Sequence, residues 1–88
     1  MSDRTSKVSG RRINAVDNSC AVLEALRQLN GAGVSEVADA VGLSKATVHG
    51  HLATLVANEF VVKRGDSYEI GLRFVDIGEY AKDQVTIS

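Results

Sequence analysis

Apolar side chains recur every three or four residues in the first third of the chain, which is the spacing of one helix face. Between residues 14 and 30 they occupy one half of a helical projection, and charged or amide side chains occupy the other half. The pattern predicts a helix that begins with Asn14 as its N-cap and ends at the glycine-containing residues 31–33. The half that we expect to be buried contains Val16, Cys20, Val22, Leu23, Leu26 and Leu29.

Residues 35–55, SEVADAVGLSKATVHGHLATL, contain two shorter apolar patterns on either side of Gly42. Glycine tolerates the left-handed conformation in which many helices end, so Gly42 predicts a tight turn. Ala38, before the turn, allows two helices to approach closely, and Val48, after it, directs the second helix back onto the first. This spacing predicts a helix-turn-helix. The alternative is an ordinary helical hairpin of a small domain.

The second of these helices, residues 44–58, has one apolar side and one nearly featureless side. Ser44 is expected to cap it, and Ser35 to cap the helix before it. Gly50, in the middle of this helix, costs about 1 kcal/mol of stability relative to alanine. Either a close approach to DNA offsets this cost, or the glycine is filler on a solvent face. The apolar side consists of Val48, Leu52 and Leu55. The opposite side, here named the bare face, consists of Ala46, Gly50, Ala53 and Ala57.

The sequence FVVKRGDSYEI then predicts a β-hairpin with strands at residues 60–64 and 68–70. A hairpin directly after a helix-turn-helix is the wing of a winged helix, and this one carries Lys63 and Arg64 near its tip. A solvated hairpin without a partner is the alternative. The side that we expect to face the core consists of Phe60, Val62, Tyr68 and Ile70.

A last helix is predicted over residues 72–85, with an apolar stripe opposite its acidic side chains. The stripe either folds back onto the winged helix or packs on a second copy of the chain, and we favour the homodimer. A close approach of two helices at Gly78 and Ala81 would offset the cost of a helical glycine. The dimerisation residues are expected to be Phe74, Ile77, Gly78, Ala81 and Val85.

Charge is distributed unevenly along these 88 residues, although the net charge is only −1. Basic side chains concentrate at the N-terminus, at the second helix of the helix-turn-helix and in the hairpin, where they would bind phosphates. Residues 1–13 lack apolar periodicity and predict a flexible basic arm, or else a solvated tail. The arm carries Arg4, Lys7, Arg11 and Arg12.

Cys20 is the chain's single cysteine, so no internal disulfide forms, and we expect it to be a small buried core residue. No apolar run is long enough to span a membrane and no signal peptide is visible, which fits a cytoplasmic protein. His49 and His51 do not share a helix face, so they predict no metal site. No catalytic residues, phosphate loop or cofactor are indicated, and an enzyme is not expected.

The residues from about 14 to 80 resemble the N-terminal domain of the IclR family of bacterial and archaeal transcription regulators. The resemblance lies in AVLEALRQL, VSEVADAVGLSKATVHGHLATL, EFVVKRGDSYEIGLRF and DIGEY. It implies a mostly α fold with a small β-hairpin wing, bound to operator DNA as a dimer. It also implies a linker helix that leads to a C-terminal effector-binding domain, which these residues do not include.

Family DNA-contacting positions map onto the second helix of the helix-turn-helix by this resemblance. Two departures from the family pattern matter: Ala46 stands where a small polar residue is common, and Gly50 where an arginine is common. Without that arginine, we expect this helix to depend less on bidentate guanine readout than its relatives do, with Ala46 or a threonine methyl group touching thymine methyl groups. The predicted DNA-binding residues are Arg11, Arg12, Ser35, Ser44, Lys45, Ala46, Thr47, His49, Gly50, Lys63 and Arg64.

Three segments follow: a basic arm (1–13), a winged helix-turn-helix (14–71) and a linker or dimerisation helix (72–88). The predicted function is sequence-specific binding of double-stranded DNA by a transcription regulator. Any small-molecule effector would act through the C-terminal domain. The alternative function is a winged-helix module that binds another protein, since winged helices also use this helix face or the wing to bind proteins.

Overall fold

The computed structural model describes residues 10–87, with side chains to residue 85. Four helices and one antiparallel hairpin form a winged helix-turn-helix followed by a helix, which confirms the predicted fold class. The arm residues Arg4 and Lys7 lie outside the described residues. In chain order the elements are α1 (Asn14–Leu29), α2 (Val34–Val41), α3 (Lys45–Ala57), β1 (Val61–Arg64), β2 (Ser67–Ile70) and α4 (Arg73–Ile87).

The start of α1 differs from the prediction by one residue, because Ile13 and not Asn14 occupies the N-cap position. Isoleucine has no side-chain acceptor for the free N–H groups of the first turn, and no side-chain cap is present. Asp17 places a negative charge near these groups. At the other end, Asn30 and Gly31 both take positive φ angles, 59° and 93°, and end the helix.

The buried face of α1 is rotated from the predicted one. Val22, Ala25 and Leu26 face the core, and the prediction omitted Ala25. At about 100° per residue, Cys20 lies nearly opposite the centre of this face, so it is exposed and the prediction of a buried cysteine is wrong. Val16 is also 57% exposed, because the apolar half of the helix is wider than the surface available to cover it.

The N-cap of the first helix of the helix-turn-helix lies two residues before the predicted one. Gly33 is the N-cap, and the Glu36 carboxylate accepts a hydrogen bond from the Gly33 N–H at 3.1 Å. Ser35 therefore lies within the first turn and does not cap the helix. Just before α2, Ala32 forms an isolated bridge with Tyr68, in which the two residues exchange two backbone hydrogen bonds.

The turn and the second helix match their predictions. Gly42 takes the left-handed conformation, with φ 74° and ψ 30°. The Ser44 side chain accepts a hydrogen bond from the Thr47 N–H at 3.1 Å and so caps α3. Val48 and Leu52 are fully buried in the core, as the apolar side of α3 requires.

The hairpin has a tight turn at Gly65 and Asp66, and its register sets which residues face the core. Val61 pairs with Ile70 and Lys63 with Tyr68, so these four residues share one face of the ribbon. Val61 and Tyr68 are buried, whereas Val62 is only half-buried and Phe60 precedes the strand. The core-facing side predicted for β1 was thus out of register by one residue, which exchanges the two faces.

The last helix, α4, leaves the domain after a short aromatic contact. The Phe60 and Phe74 rings are 4.8 Å apart, and the Arg73 guanidinium lies 5.2 Å from the Phe60 ring centroid. Leu72, just before the helix, is 79% exposed, and Ile77, one turn after the contact, is 46% exposed. The stripe does not fold back onto the winged helix. None of the helices in the described part of the chain is long and apolar enough to cross a membrane.

Candidate nucleic-acid interface

The bare face of α3 points to solvent along its whole length. Ala46, Gly50, Ala53 and Ala57 are all exposed, on the side opposite the buried Val48, Leu52 and Leu55. Exposed polar side chains border it at Lys45, Thr47 and His49. A helix with this distribution can lie close to a partner without moving any large side chain.

Gly50 has no role inside the domain that only glycine can fulfil. A Cβ atom built on Gly50 meets nothing within 4 Å among the described residues, and its φ angle is not positive. Gly31, by comparison, has a positive φ, and a Cβ there would lie 3.2 Å from the Glu69 side chain. No contact within the described structure therefore requires a glycine at position 50.

Three elements meet beside the bare face in a shallow surface depression, here named the wing depression. The start of α2 contributes Ser35 and Glu36, α3 contributes His49, and the hairpin contributes Lys63 and Asp66. Gly33, Val34 and Tyr68 complete its lining. The fold thus brings together three of the predicted DNA-binding residues, Ser35, His49 and Lys63, from separate parts of the sequence.

Lys63 and Arg64, predicted as a pair, project from opposite faces of the hairpin because neighbouring strand residues alternate. The Lys63 Nζ lies 5.9 Å from the Tyr68 ring centroid and donates a hydrogen bond to the Gly65 carbonyl oxygen at 2.9 Å. The Arg64 Nε is 2.9 Å from the Glu69 Oε1. Lys63 therefore belongs to the wing depression, and Arg64 faces away from it.

A second groove separates α1 from α3 on the other flank of the bare face. The Ser19 Oγ and the His51 Nδ1 are hydrogen-bonded at 2.7 Å across it. His51 is half-buried, as expected for a residue at the edge of the core. Sequence reasoning did not find Ser19, because nothing in the local pattern links it to a histidine 32 residues away. The groove is lined by Ala15, Val16, Ser19, Thr47, Gly50, His51 and Thr54.

The described part of the basic arm lies at the start of α1. Arg12 is exposed and makes a bidentate ion pair with Asp17, with nitrogen–oxygen distances of 2.9 and 3.2 Å. The hydrogen bond to Asp17, and then the charge of Asp17, raise the pKa of the Arg12 guanidinium above its usual value. Arg11 is exposed beside it. Arg12 must leave or share Asp17 before it can bind a phosphate.

The predicted dimerisation residues lie almost entirely outside the core. Phe74 is half-buried against Phe60, whereas Ile77, Gly78, Ala81 and Val85 are exposed. A Cβ atom at Gly78 would meet nothing within 4 Å among the described residues, as at Gly50. The stripe remains available to a second molecule.

Comparison with known proteins gives consistent matches across the helix-turn-helix and the hairpin. The model of the IclR helix-turn-helix domain matches residues 15–65. A probable HTH-type transcriptional regulator ArcR from Halobacterium salinarum is 32% identical over 78 residues. That match covers 88% of this chain but only 30% of the relative, so the chain spans under a third of the relative's length.

Two solved structures show the same architecture. HmgR from Pseudomonas aeruginosa is similar with a TM-score of 0.75 and 27% identity, over 82% of this chain and 32% of that chain. An IclR transcriptional regulator from Alicyclobacillus acidocaldarius is similar with a TM-score of 0.80 and 24% identity, over 84% of this chain and 31% of that chain. The second likeness, at its lower identity, bears on the fold alone.

Proposed function

The chain belongs to the IclR helix-turn-helix domain family, and from that membership we propose that it binds double-stranded DNA as a transcription regulator. The resemblance inferred from the sequence is thereby confirmed. The family match and the relative named as a probable HTH-type transcriptional regulator support DNA-binding regulation of transcription. Nothing in the comparisons favours a protein-binding module or an enzyme.

The single observation that carries the proposal is the bare face of α3, exposed beside a depression that contains Lys63. A major groove accepts an α-helix, and a helix without bulky side chains can lie deep in it. Ala46 and the Thr47 methyl group would contact thymine methyl groups. Ser44, Lys45 and His49 would supply polar contacts at the helix start, with Gly50 at the point of closest approach.

Backbone contacts would come from the flanks of this helix. Lys63 would bind a phosphate from the wing depression, together with Ser35. Arg64 would leave Glu69, and Arg12 would leave Asp17, to bind phosphates. Breaking these ion pairs costs little stability, because exposed ion pairs contribute little to it. Arg11 and the arm residues before it would add contacts to phosphates or to a minor groove.

We propose a separate role for each of three segments: residues 1–13 are a basic arm, 14–71 the DNA-binding winged helix and 72–88 a linker or dimerisation helix. A homodimer through α4 would cover Ile77, Gly78, Ala81 and Val85, with Phe74 at the edge of the contact. The exposed apolar stripe supports this, since water is a poor environment for it. Each dimer would then bind half-sites about 34 Å apart.

Regulation by a small molecule would require residues beyond those of the winged helix. The relatives are about three times as long as the aligned segment. We propose that any effector acts through a C-terminal domain of the kind that the family resemblance implies, and that the protein works in the cytoplasm. No cofactor is proposed for the winged helix itself.

A salt titration of binding to mixed-sequence duplex DNA tests the proposal. If about six phosphates are neutralised per subunit, the affinity should fall with salt at a log–log slope near −5. A slope near zero, or no binding at low salt, would overturn DNA binding. Selection of bound sequences from random duplexes would then define the operator.

A further inference from the structure

The wing depression combines anion-binding groups with an unfavourable local charge. Besides the Tyr68 phenol, its ionisable side chains, among the described residues, are one lysine, two carboxylates and one histidine: Lys63, Glu36, Asp66 and His49. We propose that one DNA backbone phosphate docks in this depression and that His49 takes up a proton when it does. The inference rests on the proposed function and specifies how one part of that site works.

The groups suited to a phosphate come from α2, α3 and the hairpin. The first N–H groups of a helix have no intrahelical acceptor, and residues 34–36, which begin α2, line the depression. The Ser35 hydroxyl is exposed beside them, and Lys63 adds a cation opposite. A duplex whose major groove holds α3 would bring its backbone to the border of that helix, where His49 lies.

The charge balance of the depression explains why His49 would take up a proton when a phosphate binds. With His49 neutral, Lys63 alone opposes Glu36 and Asp66, so the depression is net negative before any phosphate arrives. Protonation of His49 makes the depression neutral overall, and the phosphate then meets two cations and two carboxylates. Lys45, one turn earlier on α3, adds a further positive charge that favours the phosphate.

The direction of the pH dependence follows from linkage. A phosphate binds the protonated form better, so binding is strongest below the range in which histidine ordinarily titrates, near pH 6.5. As the pH rises through that range, the bound state loses its proton and the affinity falls. The loss of DNA affinity across that range should be about tenfold.

The test measures binding of a fluorescent mixed-sequence duplex at constant ionic strength between about pH 5.5 and pH 8. The wild-type chain should bind about tenfold more tightly at the acid end, and His49→Gln should remove that dependence. His51→Asn, which changes the chain's only other histidine and keeps a polar atom near Ser19, should retain it. Circular dichroism confirms that each variant is folded.

Two further measurements separate the proton from a general effect of pH. Asp66→Asn, at the hairpin turn, should strengthen DNA binding at pH 8 and reduce the difference in affinity between the two pH extremes. Calorimetric titrations in buffers of different ionisation enthalpy should report uptake of up to about one proton per subunit near pH 6.5, absent in His49→Gln. These signals depend on the histidine and its carboxylate neighbours, which a generally weaker fold would not reproduce.

The outcomes distinguish this inference from the proposed function. Binding that is independent of pH, or that keeps its pH dependence in His49→Gln, would overturn the inference and leave DNA binding intact. Absence of binding at every pH and at low salt would overturn both. A pH dependence that His51→Asn removes and His49→Gln retains would place the proton in the α1–α3 groove and contradict the wing depression.

Discussion

Helices α3 and α4 differ in which side the rest of the domain covers. The apolar side of α3 is buried, and its exposed side is nearly devoid of large side chains. In α4 the apolar stripe itself is exposed, except for Phe74, which packs against Phe60 of the winged helix. The winged helix therefore has a complete core without α4. Its two uncovered surfaces differ in kind: one is smooth and bordered by polar groups, and the other is apolar.

The largest expected difference between α3 and α4 is in how much a substitution in each helix lowers the free energy of unfolding. Leu52→Ala in α3 removes a fully buried side chain and should lower the free energy of unfolding by about 2–5 kcal/mol. Ile77→Ala in α4 should change it by less than about 0.5 kcal/mol at protein concentrations where the chain is monomeric. Urea denaturation measures both. Equal losses would mean that α4 belongs to the core.

The next effect concerns the partner of α4. Ile77→Asp places a charge in the exposed stripe and should weaken self-association at least about tenfold, since an unpaired carboxylate would be desolvated in the contact. Sedimentation equilibrium measures this, and Glu79→Gln, on the opposite side of the helix, is the control. A wild-type chain that is monomeric at every concentration would exclude the dimer.

Gly50 on the bare face and Gly78 on the α4 stripe permit the same substitution on both surfaces. Gly50→Ala and Gly78→Ala should each stabilise the fold by up to about 1 kcal/mol, because the added methyl group meets no neighbour in the described structure. Gly50→Ala should weaken DNA binding, whereas Gly78→Ala should weaken self-association. Thermal melts and the two binding assays measure the four quantities. DNA affinity unchanged in Gly50→Ala would mean that the bare face is not a close contact.

The smallest effect tests the helix starts. Ser44→Ala removes the α3 cap and should cost about 1 kcal/mol of stability. Ser35→Ala should cost only a few tenths, because Gly33 and Glu36 already complete the start of α2. A matched pair of urea denaturation curves shows the difference. Equal costs would contradict the capping arrangement.

Local chemistry was sufficient to predict the helix-turn-helix. Gly42 and Ser44 each have one favourable role, and the spacing of Val48, Leu52 and Leu55 leaves one orientation for α3. The errors occurred where two choices have similar local preference. In β1, the two adjacent valines fit either face, and only the hairpin register, which pairs Val61 with Ile70, decides that Val61 faces the core.

The candidate interface was predictable in its parts but not in its grouping. Lys63 and His49 were each identified as DNA-binding residues, yet their shared depression with Glu36 and Asp66 depends on tertiary packing. Separation of Lys63 from Arg64 likewise follows from the register of the hairpin. Cys20 was misplaced because the helical projection of α1 was centred without Ala25, a residue too small to stand out in an apolar pattern.

The most direct test of DNA recognition is nuclear magnetic resonance of the labelled protein bound to a duplex obtained by selection. If α3 lies in the major groove, the methyl groups of Ala46 and Ala53 should show nuclear Overhauser contacts to base protons. The amide signals of His49, Gly50 and Lys63 should shift on binding. Contacts confined to α4, or to the Arg64 and Glu69 face of the hairpin, would contradict this placement.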